Sequence, residues 1–215
     1  MNKCLAISAM VSAALAVTTT SAKPAVAAPH LVRGPDGVSV EIVALYGSGC
    51  PPGTVGASVQ DGSGRLSLYY EGPLAETGGS SKPPDRRKSC TAVLKLNVPK
   101  GFTYAISSSA NSGYAFLEEG AMATLKVGYS FQNAPSSEIT QTLNGPFNDE
   151  WWITDHPSPD SITWKPCDED WNLNFTSDLR AHQGTSDPSK VSYVSMENMN
   201  NFPHHLYDLA WKTCP

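Results

Sequence analysis

The chain has 215 residues, 40% hydrophobic and 16% charged, with a formal net charge of −5 at pH 7. That length and composition suit one domain with a full hydrophobic core. An acidic chain without a basic cluster offers no electrostatic footprint for nucleic acid or anionic lipid, so neither is expected as a partner.

The N-terminus reads as a secretory signal peptide over residues 1–27. Lys3 supplies the positive region, Leu5 to Val17 the apolar run, and Ala25-Val26-Ala27 the cleavage pattern, with cleavage after Ala22 as the alternative. The apolar run is too short to span a bilayer, so no membrane span is expected and the protein is read as secreted and extracellular. Loss of Lys3 and Lys23 with the leader turns the net charge of −5 into −7. Residues 28–215 then form a single domain. Four cysteines remain in it, Cys50, Cys90, Cys167 and Cys214, and an even number in an exported chain argues for two disulfides. Three connectivities are open, of which Cys50–Cys90 with Cys167–Cys214 is preferred.

Along the chain the periodicity is almost all two. Strands are expected over 38–45, 54–60 and 65–70, followed by a long Gly/Ser/Pro-rich loop at 71–89 in which Arg86-Arg87-Lys88 is read as solvated. Cys90, Ala92, Leu94, Leu96 and Val98 alternate with a polar set, then Phe102, Tyr104 and Ile106 do the same. A turn is expected at Asn111-Ser112-Gly113, then strands over 113–118, 123–131, 139–143, 149–154 and 161–164. Those over 172–180, 190–197 and 206–211 complete the set, with no convincing amphipathic helix. The expected fold is therefore all-β: a single antiparallel β-sandwich, jelly-roll or Greek-key-like.

Within this pattern Cys167–Asp178 poses a choice, since Asp168, Asp170, Asn172 and Asn174 put an oxygen at every second position. A calcium loop of EF-hand type needs Gly sixth and Glu twelfth, where this chain has Leu173 and Leu179. Trp171, Leu173, Phe175 and Leu179 form the matching apolar set, so the stretch is read as a half-buried strand. No cofactor is expected; calcium at Asp168 and Asp170 is the alternative. Asn174 heads an Asn-Phe-Thr sequon, relevant where the host glycosylates asparagine.

Six stretches together resemble a known family of exported proteins: GSGCPPGTV at 47–55, DRRKSC at 85–90, NVPKGFTY at 97–104, GPF at 145–147, WKPC at 164–167 and YDLAWKTC at 207–214. The family is the secreted domain-of-unknown-function family DUF4360, and the resemblance runs from about Tyr46 to Cys214. It implies an exported, cysteine-paired, β-rich protein with no catalytic residues to carry over. It also implies turn roles for Gly101 and Gly145 and core roles for Trp164 and Trp211.

The acidic, aromatic stretch FNDEWWITDH at 147–156 is the main candidate site. Adjacent tryptophans in a strand face opposite sides, so Trp151 with Ile153 is assigned to the core and Trp152 to the surface. An exposed Trp152 beside Asp149, Glu150 and Asp155, with Trp171 nearby, would stack on a sugar ring while the carboxylates take its hydroxyls. The leading reading is a non-enzymatic extracellular binding protein for a surface glycan or a secreted protein. The alternatives are a carbohydrate-active enzyme, through paired carboxylates or a copper centre at His30 with His156, His182, His204 or His205, and a structural envelope component. No GxSxG, P-loop or HExxH occurs. Oligomeric state is not legible.

Overall fold

The computed structural model describes residues 31–60, 64–72, 74–167, 169–197 and 205–215. The expected leader, His30, Asp168 and His204 lie outside the described residues. Twelve strands are formed among those described: β1 (Ser39–Tyr46), β2 (Val55–Gln60), β3 (Arg65–Tyr70), β4 (Leu74–Thr77), β5 (Arg87–Asn97), β6 (Phe102–Leu117), β7 (Met122–Phe131), β8 (Ser137–Asn144), β9 (Phe147–Asp155), β10 (Leu173–His182), β11 (Ser192–Ser195) and β12 (His205–Thr213). They build two antiparallel sheets packed as a sandwich. The five-stranded sheet has the order β1-β5-β10-β7-β8, and the seven-stranded sheet β2-β3-β12-β6-β11-β4, with β9 paired to β6.

Alternation explains the layers. On the five-stranded sheet the inward residues are Ala92 and Leu94 of β5, Leu125 and Val127 of β7, and Leu173, Phe175 and Leu179 of β10, all buried. Facing them are Leu66 and Leu68 of β3, Tyr207 and Trp211 of β12, and Trp151 and Ile153 of β9. Each buried Leu, Ile, Val or Phe among them stabilises the fold by about 1.5–3 kcal/mol relative to leaving it in water. Burial therefore outweighs the exposed ion pairs, worth roughly 0–1 kcal/mol each. The disulfides are Cys50–Cys90 and Cys167–Cys214, the expected pairing. Trp211 is the core anchor that the resemblance implied; Trp164 is half-buried under the Lys212 ammonium, 3.6 Å from its ring centroid.

Four local expectations are corrected. Asn111-Ser112-Gly113 is no turn but the middle of β6, a 16-residue strand that joins two expected ones. Gly113 stands there because a Cβ would lie 2.0 Å from the Ser195 carbonyl oxygen and 2.6 Å from the Trp151 ring. Close approach, not backbone conformation, requires that glycine. The loop expected at 71–89 contains β4 and a 3-10 turn at Pro83–Arg86, whose Asp85 accepts the Lys82 N–H at 3.0 Å. Arg86-Arg87-Lys88 is likewise not a solvated loop, since Arg87 opens β5. Finally, 161–164 contributes only an isolated bridge between Trp164 and Ala105.

Candidate functional site

Strand β9 divides the expected site residues between two faces. Trp151 is 2% exposed and donates its indole N–H to the Ser195 carbonyl at 3.0 Å. Trp152 is 54% exposed on the outer face of the seven-stranded sheet, with Glu150 on the same side. Asp149 and Asp155 fall on the other side by alternation. Trp171 packs half-buried against the core between the sheets, so the structure does not bring it to Trp152.

Other aromatic residues gather beside Trp152 instead. Along β6, Tyr114 and Phe116 share the outward parity, while Gly113, Ala115 and Leu117 point into the core. Strand pairing sets Tyr193 of β11 opposite Phe116, and sets Glu150 opposite Tyr114 and Trp152 opposite Ser112 on β9. The Tyr193 and Phe116 rings are stacked, with centroids 5.9 Å apart and planes 28° apart. Tyr193 and Tyr114 are 6.4 Å apart at 32°. Trp152 is diagonal to Tyr114, a cross-strand separation within reach of large rings. The outcome is a strip of four aromatic side chains across three strands. Polar groups fringe it: Glu76 opposite Tyr193, Glu150, and Asn148, whose Oδ1 accepts the Tyr114 hydroxyl.

Sequence reasoning missed Tyr114, Phe116 and Tyr193. The available signal was parity, since all three occupy the side of their strands that should be polar.

Asp155 belongs to a separate cavity of 360 Å³ at one end of the sandwich, beside Tyr129, Phe131, Ser137 and Ser161. Its Oδ2 accepts the Ser137 hydroxyl at 3.1 Å and the Tyr129 hydroxyl at 3.4 Å. Burial pushes the Tyr129 phenol up, Ser137 opposes this, and the neighbouring Asp155 adds to the rise. Asp155 is the one carboxylate in the described lining, among the hydroxyls of Tyr129, Ser136, Ser137, Ser161 and Thr163.

Asp170 is 72% exposed and pairs with the Lys95 ammonium at 2.6 Å. No group of three His, Cys, Asp or Glu side chains is placed to hold a metal among the described residues. Asn174 lies half-buried on the outer face of the five-stranded sheet, between Val93 and Ser130. His205 is buried between Asn111 Oδ1 at 3.1 Å and the Met196 carbonyl at 3.2 Å, while His156 and His182 are exposed.

No described helix is long and apolar enough to cross a membrane. The chain is 27% identical over 181 residues to a protein of Arthroderma benhamiae described as an uncharacterized secreted protein, covering 84% of this chain and 73% of that one. A solved structure of TmCBM61 in complex with beta-1,4-galactotriose aligns over 83% of this chain and 89% of its own at 12% identity. Its TM-score of 0.26 is too low to superpose a site. The model of the domain of unknown function DUF4360 matches residues 36–214, which include both disulfides and every described strand, and the chain belongs to that family.

Proposed function

We propose that this is a non-enzymatic extracellular glycan-binding protein whose ligand lies along the Trp152–Tyr114–Tyr193–Phe116 strip. One observation carries the reading: a tryptophan left 54% exposed on a sheet face whose outward positions also hold the half-buried, near-parallel rings of Tyr114, Tyr193 and Phe116. Sugar rings present C–H faces to such surfaces, and Glu76, Asn148 and Glu150 stand where hydroxyls would need partners. A cluster of this kind at the surface marks an interaction site more often than stray exposure does. The two disulfides and the secreted relative support an extracellular location.

The test is depletion of the purified protein by insoluble chitin, cellulose, β-glucan or peptidoglycan, with released sugar measured in the same supernatant. Depletion without release, lost in both Trp152→Ala and Tyr193→Ala, is expected. Retention unchanged in both variants would sink the proposal. Sugar release abolished by Asp155→Asn would instead move the activity to the hydroxyl-lined cavity, the setting of a carbohydrate-active enzyme.

A further inference from the structure

The outer face of the five-stranded sheet, on the far side of the sandwich from the aromatic strip, carries a cluster that the glycan-binding reading does not use. Strand pairing sets Arg180 of β10 directly opposite Arg87 of β5. Like charges directly opposite in a sheet destabilise it. Asp178, two residues from Arg180 on the same face, offsets only half of that charge. Its Oδ2 accepts Arg87 Nε at 2.8 Å and also Arg87 Nη2, and its Oδ1 accepts Arg180 Nε at 2.8 Å.

The carboxylate sits low, with 18% of its side chain exposed, while Arg87 and Arg180 are 57% and 47% exposed. It holds the two guanidinium planes from beneath. Among the described residues, both Nη groups of Arg180 and Nη1 of Arg87 are left to a further acceptor. Lys126, opposite Asp178 on β7, is paired with Glu138 at 2.7 Å. Three cations against two carboxylates leave one net positive charge here, on a chain whose net charge is −5.

Arg87, Lys126, Asp178 and Arg180 line a cleft of 380 Å³ together with Thr124, Thr140 and His182. A cleft of that size lies in the range that holds a small ligand. Thr124 Oγ1 is 3.3 Å from His182 Nε2, so hydroxyl and imidazole partners flank the guanidinium pair. Planar, forked donors fixed from below match a planar carboxylate, and the threonine hydroxyls match a polyhydroxylated ring.

We propose that this cleft is a second binding site, independent of the aromatic strip, for a carboxylate-bearing sugar unit of an acidic glycan. The carboxylate takes the free edges of Arg180 and Arg87, and ring hydroxyls meet Thr124 and Thr140.

Calorimetric titration of the intact protein with tri-galacturonate tests this, run beside its methyl ester and a sulfated trisaccharide. Tri-galacturonate is expected to bind, and Arg180→Gln to weaken it by about ten- to a hundredfold, the worth of hydrogen bonds to a charged group. Arg180→Lys, which keeps the charge but loses the fork, is expected to recover only part of the affinity. Trp152→Ala should leave tri-galacturonate binding unchanged, so failure of the aromatic-strip reading stays distinguishable. Equal binding of the methyl ester, binding of the sulfated trisaccharide alone, or no effect of Arg180→Gln in a variant with wild-type melting would each overturn the assignment.

Discussion

Trp151 and Trp152 are consecutive in β9, yet one is 2% exposed and the other 54%, on opposite faces of the same sheet. Their truncations should therefore separate stability from binding. Trp151→Ala removes a core ring and its hydrogen bond to Ser195, and is expected to cost about 3–5 kcal/mol in chemical denaturation. Trp152→Ala should change stability by no more than about 0.5 kcal/mol while removing glycan retention. A large stability loss in Trp152→Ala would assign that ring to the fold instead.

The sandwich was legible because alternation is local. Leu173, Phe175 and Leu179 announce their shared face within seven residues, and the structure buries all three. What was illegible depends on partners far away in the chain. Gly113 resembled a turn glycine because its real neighbours, Trp151 and Ser195, are 38 or more residues downstream. The aromatic strip needs the registers of β6, β9 and β11 together, and the arginine pair needs that of β5 with β10. One sequence carries outward parity for each residue but not which strands lie side by side. Asp149 and Asp155 are a different case: the alternation that turns Trp152 outward also turns them to the opposite face, so their separation from it was legible locally.

The disulfides should differ in their access to reductant. Cys50 and Cys90 are 1% and 2% exposed, whereas Cys167 is exposed beside the chain terminus and Cys214 half-buried. Thiol–disulfide exchange requires a thiolate to reach sulfur, so a mild reductant without denaturant should open Cys167–Cys214 first. Alkylation followed by peptide mass mapping reads the order. Opening both should lower stability by roughly 4 kcal/mol each on the chain-entropy model. Simultaneous loss of the two pairs in the native protein would contradict the burial argument.

Acid should weaken the fold through two partly sheltered carboxylates. Burial opposes ionisation of Asp178, but hydrogen bonds from Arg87 and Arg180 outweigh it and hold the group below its ordinary value of 3.8. Asp208 behaves alike, with Arg65 and Ser108 as its partners. A carboxylate depressed in the folded state binds fewer protons there than in the unfolded chain. Its contribution is complete above the ordinary value and is lost as pH falls through the lower folded one. Stability should thus decline below about pH 4, and Asp178→Asn should flatten that decline while costing stability at neutral pH. Parallel pH profiles for the two proteins would remove Asp178 from the account.

At high pH the relevant groups are phenols. Burial raises the hydroxyls of Tyr70, Tyr104 and Tyr207 above their ordinary value of 10.0, and the neighbouring Tyr70 and Tyr129 push Tyr207 further. Tyr207 also donates to Asn111 Oδ1 at 2.8 Å, a bond its ionised form cannot make. A raised folded value means that the unfolded chain loses its phenolic protons first. The stabilisation is therefore complete below the ordinary value and is lost as pH rises past it toward the folded one. Tyrosinate absorbance on alkaline titration should show a late cooperative rise that coincides with loss of the β-sheet circular dichroism signal. Tyr207→Phe keeps the ring packing against Phe175 at 4.4 Å but leaves Asn111 with one partner fewer, so it should lower neutral stability while making that late rise smaller. Gradual ionisation of every tyrosine in a protein that keeps its sheet signal would show that these phenols are reached by solvent without unfolding.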